Sequence, residues 1–162
     1  IRSDVERKRL HGLAPAARSG SDIAEGIYRS DATEATYLRL LDLARTIVES
    51  GYGVIVDATF LNRRQRKLFR TLAWETGVPF IILDFRAGEP LLREHILARS
   101  LRGGDASEAD LAVLEHQLRT HEPLSSDELE SVFACDASGP LEQAILPRTW
   151  ASLLQRLALA SG

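Results

Sequence analysis

Two apolar runs constrain this chain more than any other feature. Val54-Ile55-Val56-Asp57 and Phe80-Ile81-Ile82-Leu83-Asp84 are continuous apolar segments, each closed by an aspartate. A strand with one wet face alternates polar and apolar residues. A continuous run instead suits a strand buried on both faces, as in a parallel sheet. Parallel neighbours need a crossover rather than a hairpin, and the intervening residues supply one. Asn62 can cap a basic helix running through Glu75, ended by Gly77 and followed by Pro79. Strand–helix–strand alternation of this kind predicts an α/β fold with right-handed crossovers.

The rest of the chain extends the pattern. Ile1-Arg2-Ser3-Asp4 reads as the end of another parallel strand, tipping a carboxylate over the sheet edge, with the charged helix Val5-Glu6-Arg7-Lys8-Arg9-Leu10 next. In open α/β sheets that edge is where ligands bind. A loop from Gly12 to Tyr28 leads to a helix expected from Asp31 to Ser50, with Glu34 as capping-box partner. Its apolar face is predicted to be Leu38, Leu41, Ala44, Ile47 and Val48. A helix from Glu89 to about Arg102 is expected to break at Gly103-Gly104. Ser107 with Asp110 then caps another helix reaching about His121. A last strand is expected at Ser131 to Cys135 and a terminal helix at Trp150 to Leu159. The 162 residues form one expected domain, 1–162, with a helical excursion over about 89–122.

Four groups of residues could carry chemistry, and each has a plainer reading. Asp57 emerges where Mg²⁺ and its waters could sit, or is a cap or turn residue; Asp84 offers the same choice. Asp4 and Arg7, at i and i+3, share a helix side. The carboxylate could take a proton from a substrate hydroxyl while the guanidinium holds an anionic group. Alternatively they are a helix cap with an ion pair. Arg93, Arg99 and Arg102 beside a glycine hinge suit a lid closing on a polyphosphate, or simply favour a helix C-terminus. Asn62-Arg63-Arg64-Gln65-Arg66-Lys67 could meet phosphates or form a solvated basic face.

Other classes are disfavoured. The formal net charge of −3 gives no general pull toward nucleic acid, so a polynucleotide partner is not favoured. No apolar run is long enough to cross a membrane. The single cysteine, Cys135, reads as a small buried residue of a cytoplasmic protein. The four histidines lie on different elements and suggest no metal set. G-x-S-x-G and G-x-G-x-x-G motifs are absent from the sequence.

Asp4-x-x-Arg7, Val54-Ile55-Val56-Asp57-Ala58-Thr59, the lid arginines and Glu115-His116-Gln117-Leu118 occur in an order that resembles one family. The chain resembles P-loop kinases of the polynucleotide kinase, gluconate kinase and zeta-toxin-like group. It is most similar to the ATP-binding domain that bacteria fuse to an aminoglycoside-phosphotransferase-like domain. The resemblance implies a three-layer parallel sheet with helices on both faces and a helical lid. It implies ATP and Mg²⁺ as cofactors and a small-molecule or nucleotide-type substrate. Asp4 would be the catalytic base and Arg7 would hold the substrate. Asp57 would be the Walker B acid near the metal. Thr59, Arg99 and Arg102 would lie on the ATP phosphates, with Arg93 a further lid candidate.

The resemblance has one large departure. No G-x-x-x-x-G-K-[ST] occurs in these residues, so the phosphate cradle, its Lys and its Ser/Thr are missing. In the family that loop and its strand precede the position of Ile1. The strands at Val54 and Phe80 are therefore expected to lack a common neighbour, and this segment alone is expected to be inactive. The leading expectation is an ATP-dependent kinase transferring the γ-phosphoryl to a hydroxyl. A nucleotide-binding regulatory or pseudokinase module is the alternative, and a doubly wound scaffold domain is a third.

Overall fold

The computed structural model describes residues 1–21, 25–102, 105–139 and 146–160, and it is an α/β structure. Its elements are α1 (Ser3–Leu10), α2 (Ser30–Glu49), α3 (Arg63–Thr76), β1 (Ile82–Arg86), α4 (Glu89–Arg102), α5 (Leu111–Thr120), β2 (Val132–Asp136) and α6 (Ala151–Ala160). The glycine pair expected to break α4, Gly103-Gly104, lies outside the described residues.

Two parallel strand pairs organise the sheet layer. β1 and β2 pair in parallel register from Ile82↔Val132 to Arg86↔Asp136. The second pair is shorter: Ile1–Ser3 lies beside the segment ending at Asp57, with a parallel bridge between Arg2 and Asp57. The Ile1 amino group donates to Ile55 O at 2.7 Å. Asp57 N donates to Ile1 O and Ser3 N to Asp57 O, both at 2.8 Å. Ile1-Arg2-Ser3 is thus a strand end, as its residue pattern suggests. Among the described residues no backbone ladder joins the two pairs.

The main core lies between the Ile1/Val54 pair and helices α2 and α3. Tyr37, Leu40 and Ala44 of α2 meet Phe69 and Leu72 of α3, with Ile1, Val54, Val56, Phe60 and Phe80 packed against them. Val54 and Val56 turn toward the helices, and Ile55 between them is 74% exposed. Burial on both faces, expected from the continuous apolar run, is therefore not observed here. Strand side chains alternate, and no described helix covers the second face at Ile55. The buried seam of α2 matches the expected one in part. It runs Thr36-Tyr37-Leu40-Ala44 with Leu41 packed against it, while Leu38 is half exposed.

Local capping explains where the helices begin and end. Asn62 N donates to Gln65 Oε1 at 3.1 Å at the start of α3, the backbone half of a capping box. Gly77 ends α3 in the left-handed conformation at φ 68°, which glycine adopts without a Cβ penalty. Asp110 caps α5 by accepting from Val113 N at 2.8 Å. Helix α2 has no side-chain cap. Glu34, its expected capping partner, instead receives Arg64 Nη2 at 2.6 Å.

That contact belongs to a wider correction of the basic block opening α3. Its arginines form internal ion pairs and do not present a free phosphate-binding face. Arg63 pairs with Asp127 at 2.6 Å and Arg70 with the same carboxylate at 2.9 Å. Arg66 reaches Glu128 through Nε at 2.6 Å and Nη2 at 3.0 Å. Glu122 Oε2 accepts from Arg63 N at 2.6 Å, placing an anion at the helix N-terminus, where the macrodipole favours one. The acidic residues following α5 thus neutralise Arg63, Arg66 and Arg70.

Candidate functional site

The short strand pair brings two carboxylates to one edge. Asp57 sits at the end of its strand with a side chain 65% exposed. The neighbouring strand end passes directly into α1, whose first turn carries Asp4. The two are near enough that the Asp57 charge helps to raise the Asp4 pKa, although burial is the larger cause. A hydrogen bond from Ser107 and the positive charges of Arg7 and Arg2 act in the opposite direction. The net result is a carboxyl held above the ordinary aspartate range. Arg2 is the residue outside α1 that caps its start, without a side-chain bond. Asp4 is therefore inside the helix and is not its N-cap.

Arg7, one turn on, is buried. Its Nη1 donates to Ile27 O at 3.0 Å and to Thr33 Oγ1 at 3.1 Å. Its guanidinium lies over the Tyr28 ring, 5.1 Å from the centroid, a cation–π geometry. Nε has no acceptor among the described residues. Burial lowers the Arg7 pKa, and Asp4 partly opposes that shift. The same burial pushes the Tyr28 hydroxyl up to about 12, which keeps it protonated. Arg7 is thus fixed in place.

The turn after Asp57 supplies Thr59. Phe60 there has φ 47°, a conformation that costs a non-glycine residue energy and recurs at functional sites. The surroundings fix it firmly. Phe60 N donates to the Tyr37 hydroxyl at 3.0 Å, and the ring meets Tyr37 and Phe69 edge-on at 5.5 and 5.2 Å. Arg66 Nη1 also holds Phe60 O at 3.0 Å. Thr59 is exposed, and its side chain is hydrogen-bonded to Tyr37.

The helical excursion consists of α4 and α5 with the loop between them. Arg99 Nη2 donates to Ala109 O at 3.2 Å, tying α4 to that loop. Arg102 is exposed, and its one described bond is from Nε to Ala98 O at 3.3 Å. Arg93 pairs with Glu89 at 2.8 Å and Glu115 at 3.2 Å. It joins α4 to α5 and does not stand free as a lid cation. Asp84 also has a structural role: it lies within β1 and accepts from Arg86 Nε at 2.7 Å.

Several residues of this region carry no recognisable local signal. Arg2 pairs with Asp57 through Nε and with Asp105 through Nη2, both at 3.1 Å. Asp105 Oδ1 also accepts from Ser107 N at 2.9 Å. Lys8, only 1% exposed, pairs with Glu108 at 3.0 Å and donates to Pro15 O at 3.1 Å. Glu108 in turn accepts from Ser19 N and Oγ. The loop after α4 is thereby fastened to the strand end and to α1. Aspartate two residues before serine is the one hint of a local turn at Asp105.

The donor set also bears on a metal. Among the described residues no group of three or more His, Cys, Asp or Glu could hold a metal ion. Asp57 alone, exposed and facing a cation, fits Mg²⁺ of the kind bound by one carboxylate together with substrate phosphates. It does not fit an ion caged by protein. No described helix is long and apolar enough to cross a membrane.

A family model described as an AAA domain matches residues 1–124. Among curated proteins, the uncharacterized protein Rv2004c of Mycobacterium tuberculosis is 24% identical over 145 residues, covering 90% of this chain and 28% of the relative. The uncharacterized protein Mb2027c of Mycobacterium bovis gives the same figures of 24%, 90% and 28%. The chain spans little more than a quarter of the length of these relatives. No solved structure matches.

Proposed function

The chain belongs to the AAA domain family, within the P-loop kinase superfamily, and on that premise we propose that its domain transfers the γ-phosphoryl of ATP to a substrate hydroxyl. The observation that supports this reading best is the pairing of Ile1–Ser3 with the strand ending at Asp57. It sets a partly buried carboxyl on a helix start beside an exposed carboxylate on a strand end. Phosphoryl transfer depends mainly on positioning and charge neutralisation, and the two aspartates divide those tasks.

Asp4 acts as the base toward the acceptor hydroxyl. Burial raises its pKa and so makes it a better proton acceptor than an ordinary aspartate, while the Ser107 hydrogen bond and the charges of Arg7 and Arg2 favour its ionised form. Arg7, immobilised by Ile27, Thr33 and Tyr28, orients the acceptor through its remaining N–H groups. Asp57 holds Mg²⁺, which when bound neutralises charge on the transferring phosphates. Thr59, on a rigid turn next to Asp57, and Arg99 and Arg102 of the helical lid would contact the phosphates of bound ATP. The acceptor is a small molecule or nucleotide-type compound. The domain works in the cytoplasm, as one part of a longer protein fused to an aminoglycoside-phosphotransferase-like domain.

The test is Asp4→Asn in the longer protein that carries this domain. Nucleotide binding, followed by fluorescence of a labelled ATP analogue, should persist while phosphoryl transfer falls by at least about a hundredfold, the usual scale of a lost general base. Unchanged turnover would remove Asp4 from the chemistry. Nucleotide binding with no transfer in the unaltered protein would instead favour a regulatory module that clamps ATP.

A further inference from the structure

One cleft of the fold holds cations that the ion pairs described above leave over. It lies between the loop after α1, at Ala16 and Arg18, and the connection from α4 to α5, and its volume is about 130 Å³. Whole ligands occupy pockets of about 300–1,000 Å³, so this cleft fits one group of a ligand. Arg18 and Arg99 reach it from different elements. Arg18 is exposed, and its side chain makes no ion pair or hydrogen bond among the described residues. Arg99 gives Nη2 to Ala109 O at 3.2 Å and keeps most of the donors that a guanidinium carries.

Carboxylates also line the cleft, and each is already engaged. Asp105 accepts from Arg2 Nη2 at 3.1 Å and from Ser107 N at 2.9 Å. Glu108 pairs with Lys8 at 3.0 Å and accepts from Ser19 N and Oγ at 2.9 and 2.8 Å. Asp110 caps α5 through Val113 N at 2.8 Å, where the macrodipole favours its charge. With Asp105 matched by Arg2 and Glu108 by Lys8, the charges of Arg18 and Arg99 are left to meet an anion. Ser107 lines the same cleft and is hydrogen-bonded to Asp4, so the cleft adjoins the carboxyl assigned as the base.

We propose that Arg18 and Arg99 form a subsite for one phosphoryl group beside Asp4, with Arg18 a binding residue that no sequence motif marks. The inference deepens the kinase reading and rests on it for the chemistry next to Asp4. Guanidinium groups match phosphoryl oxygens in geometry as well as in charge, through paired N–H donors. Two of them converging on a cleft of this size hold one such group and leave the rest of the ligand outside. The group belongs either to the polyphosphate of ATP or to an acceptor that already carries a phosphate. Both sources present the same anion to the arginines, and the binding order separates them.

Calorimetric titration of the longer protein that carries this domain, with tripolyphosphate and with inorganic phosphate, tests the subsite. Arg18→Gln should weaken binding of one of these anions by about five- to tenfold, between the worth of an exposed ion pair and that of a charge-assisted hydrogen bond. Arg18→Lys keeps the charge without the paired donors and should recover part of the loss. Lys67→Gln removes an exposed charge from α3 and should change neither titration. If ATP supplies the group, the loss falls on tripolyphosphate, and inorganic phosphate no longer binds once a non-hydrolysable ATP analogue is saturating. If the acceptor supplies it, inorganic phosphate still binds the analogue-loaded protein and Arg18→Gln removes that binding. Either pattern supports the subsite. No binding of either anion, equal affinities in the unaltered protein and Arg18→Gln, or an equal loss in Lys67→Gln overturns it. Phosphate binding that depends on Arg18 in a protein that never transfers the γ-phosphoryl of ATP would refute the kinase reading and leave the subsite standing.

Discussion

Replacing Glu128 with Gln should destabilise the protein by about 3 kcal/mol at pH 7, by a mechanism that can be read from its pH dependence. Glu128 and Arg66 are 5% and 4% exposed and meet through two hydrogen bonds, at 2.6 and 3.0 Å. Ser125 N and Oγ add bonds to Glu128 Oε2 at 2.9 and 2.7 Å. These contacts, Arg66 first, hold the Glu128 carboxyl at about 2 against an ordinary 4.5. At about 1.4 kcal/mol per pKa unit, that depression corresponds to about 3 kcal/mol. Removing one partner of a buried pair costs about 3–5 kcal/mol, because the other charge is left uncompensated. The sign follows from a folded pKa below the unfolded one. The contribution is complete above about 4.5 and is lost as pH falls toward about 2.

Urea unfolding of the wild type and Glu128→Gln at pH 7, 5, 4 and 3 measures this directly. Other carboxylates titrate in both proteins and cancel in the difference. The gap should be about 3 kcal/mol at pH 7 and pH 5, then narrow steadily below pH 4.5. A difference that is independent of pH, or below about 1 kcal/mol at neutral pH, would refute the argument. The consequence reaches the proposed site. Arg66 also holds Phe60 O, Glu122 O and Pro123 O, so loosening it frees the turn that carries Thr59.

Two further outcomes are expected. Ser107→Ala removes a hydrogen bond that lowers the Asp4 pKa, so the acidic limb of the kcat/KM profile for phosphoryl transfer should move to higher pH; a limb that stays in place or moves down would contradict Asp4 as the base. Phe60→Gly relieves the left-handed strain at φ 47°, worth about 1–3 kcal/mol, but removes a ring with two edge-on aromatic contacts, worth about 3–5 kcal/mol. A net loss of about 2 kcal/mol in chemical unfolding is therefore expected, and equal or greater stability would show that the strain outweighs the packing.

Much of the element order is legible in the residues themselves, because it depends on short-range chemistry. Asn62 with Gln65 and Gly77 mark the two ends of α3, and Asp110 marks the start of α5. Apolar runs locate the strands to within about two residues, the ordinary precision of such boundaries. The α2 seam was less legible. Leu38 and Leu41 look equivalent on a helical wheel, yet the buried line runs through Tyr37, Leu40 and Ala44. The partner surface chooses which apolar stripe is covered, and periodicity alone does not contain that surface.

Local residue pattern is enough to show that the chain is α/β, that Asp4 and Asp57 lie at the carboxyl edge of parallel strands, and that Asp4-x-x-Arg7 starts a helix. Backbone hydrogen bonding and side-chain period act over a few residues, so local pattern suffices for these. Where each charge is neutralised depends instead on the path of the chain in space. Arg66 meets Glu128 across 62 residues and Arg2 meets Asp105 across 103, and neither pairing has a sequence spacing that announces it. A basic stretch reads the same whether it will face phosphate, water or an acidic loop. Coulomb attraction depends on distance in space, and the chain's path sets that distance.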